Sequence, residues 1–132
     1  MRTTQRIKAL QVAQQLAAAD KDQAASHLQA QQRRAQAAEQ QLLQLRSFHA
    51  DYAVAASKLG DARQLQQYYA FLTRLNRSIG QQQAALITSQ QAVEDSRDRW
   101  ARLYQRSAAL GKALDKAQRQ YARDLDKRSD LL

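Results

Sequence analysis

Much that ordinarily shapes a domain is missing from this 132-residue chain. It has no cysteine, no proline and only three glycines. Without cysteine, disulfides and thiolate-bound metals are excluded. Without proline, and nearly without glycine, little in the chain opposes long helices. No run of about 18 apolar residues occurs, so no membrane-spanning helix is expected. The opening "MRTTQRIKAL" lacks the apolar core of a secretory signal, and the expected location is the cytoplasm. Aromatics make up 6% of the residues, and the mean hydropathy is −0.73. Such a composition argues against a wide core and for a narrow apolar seam with much polar surface.

Good helix formers fill the space: Ala, Gln, Leu, Arg and Lys dominate. In the second half, apolar or small residues recur three and four apart without a stutter. The series runs from Leu65 and Tyr68 through Leu72, Leu75, Ile79, Gln82 and Leu86 to Trp100, Leu114 and Tyr121. This 3.5-residue repeat holds one stripe on one helix face, the a and d positions of a coiled coil. Its polar members Gln82, Ser89, Ser96 and Ser107 weaken the seam locally, and the small ones allow close helix approach. The first half carries a weaker series, from Ile7, Leu10 and Ala17 through Ala38, Leu42 and Leu45 to His49, Tyr52 and Leu59.

Between the two series lies "SKLGDARQ". Gly60 is suited to the left-handed conformation that ends a helix, and Asp61 to capping the next one. A short link between long helices makes them antiparallel neighbours. The expected fold is therefore all-α: a single antiparallel two-helix coiled coil over residues 1–132. Helix one is expected at about 3–59, the turn at about 60–61 and helix two at about 62–130. The end nearest the turn carries large apolar groups and is expected to be firm. The terminal half is rich in Ala and Ser and is expected to fray.

Nothing in the sequence assembles a catalytic constellation. His27 and His49 are far apart, Glu39 and Glu94 have no partner carboxylate in register, and no glycine-rich phosphate loop exists. An enzyme is not expected, nor is a cofactor or metal. Charge is more informative. The net charge is +9, and Arg97 to Arg128 holds ten Lys/Arg against four Asp. Arg97, Arg99, Arg102, Arg106, Lys112, Lys116, Arg119 and Arg123 all avoid the seam. They read either as an ordinary solvated face or as an electrostatic contact. Specific nucleic-acid binding is not expected, because no groove-reading module is present and Trp100 and Tyr121 fall on the seam.

Five of the eight aromatic residues lie between Phe48 and Phe71. Tyr52 and Tyr68 occupy seam positions and pack the core. Phe48, Tyr69 and Phe71 flank the seam, where a two-helix structure has little width to cover them. Clustered exposed rings mark an interaction surface.

Three stretches together resemble the FliJ family: "QLLQLRSFHADY", "LQQYYAFLTRLNRSIGQQQAAL" and "SRDRWARLYQRSAAL". The joint pattern is Leu45, Phe48 and Tyr52 before a Gly-containing turn, Tyr68, Phe71, Leu72, Leu75 and Ile79 after it, then the lone Trp100. The resemblance implies a cytoplasmic component of bacterial flagellar type III protein export. Its fold would be similar to the terminal helices of the ATP synthase gamma subunit. It implies a central stalk that binds the export ATPase hexamer, contacts the cytoplasmic domain of the export gate FlhA and interacts with export chaperones. It would work at the cytoplasmic face of the inner membrane. The residues matching the gate contact are Gln41, Leu45, Phe48 and Tyr52 on helix one, and Phe71, Leu75, Ser78 and Gln82 on helix two. Each set is spaced four, three and four along one helix face. Arg6, Lys8, Arg119, Arg123, Lys127 and Arg128 are candidates for contacting the ATPase ring. Phe48 and Ser78 stand where family members often have Tyr and Ala. Two other readings are the equivalent stalk of a virulence injectisome and a generic cytoplasmic coiled-coil scaffold.

Overall fold

The computed structural model describes residues 2–131. Two helices account for nearly all of them: α1 (Arg2–Ala56, 55 residues) and α2 (Ala62–Leu131, 70 residues). The all-α hairpin expected from the heptad series is what forms. Among the described residues, no helix is long and apolar enough to cross a membrane.

The link is longer than the sequence suggests, and it is built differently. α1 stops at Ala56, three residues before the expected end. Its last carbonyls are taken by amides three residues on: Ser57 to Val54, Lys58 to Ala55 and Leu59 to Ala56, at 3.1–3.3 Å. The Ser57 hydroxyl also donates to the Val54 carbonyl at 2.7 Å. These bonds tighten the final turn and satisfy groups that would otherwise need a left-handed cap. Gly60 accordingly does not adopt a positive φ, and the left-handed stop expected there is absent. Asp61 does cap α2. Its Oδ1 accepts from the Arg63 amide at 3.0 Å, and its carbonyl accepts from Leu65, also at 3.0 Å.

The chain divides into two compact units. One combines Met1–Leu28 with Asp95–Leu132 (the terminal unit); the other is Gln29–Glu94 (the turn unit). In each, a segment of α1 packs antiparallel on a segment of α2.

In the turn unit the buried residues are Ala38, Leu42 and Leu75, at 5–8% exposure. Seam residues Leu45, His49, Tyr52, Leu72, Ile79 and Leu86 are half-buried around them. Gln82, a polar seam member, is not wasted: its Nε2 donates to the Ala38 carbonyl at 3.2 Å and to Gln41 Oε1 at 3.0 Å. This bond ties the two segments together across the seam.

In the terminal unit the buried residues are Ala17, Ala24, Ser96 and Ser107, all small. Larger seam residues such as Leu10, Leu28, Trp100, Leu103 and Leu114 are only half-covered. Small side chains let two backbones approach, so the most enclosed positions are those with least to bury. Lys21, another seam member, turns its ammonium over the Tyr104 ring at 5.7 Å from the centroid, and Tyr104 leans on Trp100 at 5.5 Å. Among the described residues, no buried polar side-chain atom lacks a hydrogen-bond partner.

Candidate docking surfaces

A helix in a two-helix pair has two flanks beside its seam. In an antiparallel pair the g and c positions of both helices share one flank, and the e and b positions share the other. The turn unit shows how this sorts the rings. Phe48 and Phe71 both occupy g positions. Tyr52, on the seam, stacks against Phe71 at 4.2 Å and 19°, against Tyr68 at 5.8 Å and against Phe48 at 6.2 Å. Tyr69 occupies an e position. It meets Tyr68 edge-on at 5.6 Å and stays 62% exposed on the other flank. The sequence groups Tyr69 with Phe71; the structure separates them. The ring neighbours of Tyr52 are accordingly Phe71, Tyr68 and Phe48.

Of the residues matched to a gate contact, all eight lie in the turn unit on g positions of this flank or on the d positions beside them. Phe48 is 56% exposed, while Gln41 and Ser78 are exposed. Leu45, Tyr52, Phe71 and Gln82 are half-buried, and Leu75, 7% exposed, supports the patch from beneath. Gln41, Leu45, Phe48 and Gln82 line an open notch of about 320 Å³. Its remaining wall is Gln44, which sequence reasoning missed. The signal was present: Gln44 lies one turn before Phe48 and one after Gln41. Fixed by the Gln82 amide bonds, the notch offers an apolar floor with amide edges. That chemistry suits an apolar side chain of a partner, held by hydrogen bonds at its rim.

The basic residues of the terminal unit form a face. Arg99, Arg102, Arg106, Lys112, Lys116, Arg119 and Arg123 are all exposed. They occupy c, f and g positions of α2, and no acidic residue falls on those positions between Asp98 and Asp126. Arg119 is paired within its helix to Asp115, at 3.2 Å. Among the six residues considered for ring contact, Arg119, Arg123 and Lys127 follow one another at spacings of four along this face. Arg6 lines a groove of about 620 Å³ with Arg2, Lys116 and Asp124. Lys8, two residues on, occupies a b position on the opposite flank, so it does not join Arg6. Arg128 falls on the seam repeat and is exposed.

Neither a curated protein nor a solved structure shows significant similarity to the chain. A family model described as the flagellar FliJ protein matches residues 6–131. With a match over nearly its whole length, and the helical hairpin that the heptads require, the chain belongs to the flagellar FliJ protein family and is a flagellar export-related protein.

Proposed function

We propose that this chain is a central stalk of the flagellar export ATPase, binding the ATPase hexamer and linking it to the FlhA export gate. On this reading the g/c flank of the turn unit docks the gate. The basic face of the terminal unit, with Arg119, Arg123 and Lys127 and the neighbouring Arg6 as candidates, seats in the ATPase ring, and Lys8 and Arg128 are candidates outside that face. Export chaperones are further partners, and the protein works in the cytoplasm, peripheral to the inner membrane. Its role is mechanical and positional rather than catalytic.

The observation that carries the reading is the exposed notch at Phe48. A 56%-exposed phenylalanine beside stacked rings and an ordered glutamine is costly to leave in water and well placed for a partner. Phe48→Ala is expected to weaken binding to the FlhA cytoplasmic domain by roughly tenfold or more, as for a central aromatic contact, with helicity unchanged by circular dichroism. Phe71→Ala is a poorer probe, because Phe71 also packs on Tyr52. Unchanged gate binding by Phe48→Ala would remove the patch assignment. Failure of the chain to bind or stimulate the export ATPase would remove the stalk.

A further inference from the structure

Charge in the terminal unit is sorted by flank. The g/c flank holds eight Lys/Arg: Arg2 and Arg6 on α1, and six on α2 between Arg99 and Lys127. Against them stand Asp20, Asp95 and Asp130, and the seam residue Asp124, whose carboxylate accepts from Gln120 on this flank at 3.3 Å. The e/b flank holds Lys8, Arg97 and the Lys21 ammonium, turned to Tyr104, against Asp22 and Asp115. The f positions carry two of each sign: Lys112 and Arg119, Asp98 and Asp126. An ordinary solvated face balances its signs, as the f positions do. The g/c flank carries a large excess of one sign, and all eight of its cations are exposed. Its six cations on α2 run over about 42 Å of helix, with no acidic g or c residue among them. Leu16, on the same flank of α1, is 62% exposed.

From this sorting we propose that the g/c flank of the terminal unit binds an anionic phospholipid surface. This contact rests on the peripheral membrane location proposed above and gives that location a face. A chain seated in the ATPase ring has the flank enclosed, so the lipid contact belongs to chains outside the ring.

Charge complementarity calls for an anionic partner, and the make-up of the flank selects lipid among them. Carboxylates fixed on a protein would have to match the spacing of the arginines, whereas lipid headgroups diffuse to them. The middle of the flank is alanine, at Ala9, Ala13, Ala109 and Ala113, which offers no pocket for the large apolar anchors of a protein interface. Duplex nucleic acid winds its phosphates right-handedly once in about 34 Å. The flank follows a left-handed supercoil of far longer pitch, so the two would touch only briefly. An exposed leucine beside arginines suits the boundary between headgroups and acyl chains, and has no use against a phosphate chain.

The test uses the purified chain with vesicles of phosphatidylcholine, with or without phosphatidylglycerol. The chain should sediment with the anionic vesicles, stay in solution with the neutral ones, and come off as salt is raised. The triple variant Arg99→Gln, Arg102→Gln, Arg106→Gln removes three flank cations, and should weaken binding by about a hundredfold. A second triple variant, Arg33→Gln, Arg63→Gln, Arg77→Gln, lowers the net charge equally from exposed f positions of the turn unit. It should weaken binding by less than about tenfold, because those charges act only through the screened long-range field. Glutamine is a good helix former, so circular dichroism should show both variants fully helical. Equal binding to both kinds of vesicle, or binding to neither, would overturn the proposal. So would retention at high salt, equal losses from the two triple variants, or duplex DNA that strips the chain from anionic vesicles at matched phosphate concentration. No ATPase or gate protein is present, so any of these results leaves the ring and gate assignments standing.

Discussion

The turn unit and the terminal unit meet the same packing demand with different side chains. The turn unit buries Leu42 and Leu75 and stacks Tyr52 between Phe71, Tyr68 and Phe48. The terminal unit buries alanines and serines and none of its described leucines. Burial of a leucine contributes roughly 1.5–3 kcal/mol, and an alanine offers far less surface to bury. The enclosed positions of one unit thus include large apolar groups, and those of the other are all small. The lesson is that an unbroken heptad repeat does not mean uniform side-chain burial along a helix pair.

The contrast can be broken most strongly at Leu42. Leu42→Ala should cost about 2–4 kcal/mol, because a cavity opens under a 5%-exposed side chain. A thermal melt followed by circular dichroism reads the loss, and amide exchange should quicken most in the turn unit. The opposite change probes the terminal unit. Ser107→Leu places a large group where two helices approach closely at a 6%-exposed site, and should cost about 1–3 kcal/mol by overpacking. If it stabilises instead, the unit has room to fill and the close-approach account fails. Asp61→Ala removes the side-chain acceptor for the Arg63 amide and should cost about 1 kcal/mol, seen in the same melt. The smallest effect is expected at Arg119→Ala. Its ion pair with Asp115 is exposed on both sides, so stability should change by less than about 0.5 kcal/mol. A larger loss would mean the basic face takes part in folding.

Most of the fold was legible because periodicity is a local property. All sixteen positions of the first seam series, Ile7 to Leu59, are buried or half-buried. So are fifteen of the seventeen in the second, and the exceptions, Leu65 and Tyr121, are borderline at 36% and 37%. The Asp61 cap was legible for the same reason, since an Asx side chain bonds its own neighbours. Gly60 misled because a helix can also end by tightening its last turn, which leaves no mark in composition. The patch was legible in part. Phe48 and Phe71 could be named, but Tyr69 was wrongly joined to them and Gln44 was left out.

The residues alone determined that two long helices form, where they part, which stripe of each is covered and where positive charge concentrates. These follow from helix propensity and a 3.5-residue repeat, both carried by neighbours in sequence. Only the tertiary structure decided which flank of one helix lies beside which flank of the other. Tyr69 and Phe71 stand equally one step from the seam in sequence. The flank holding Phe48 is settled only when α1 is laid antiparallel on α2, bringing g positions beside g and e beside e. The same packing decided that small Ala and Ser residues are the most enclosed, because enclosure depends on how closely a facing helix can come.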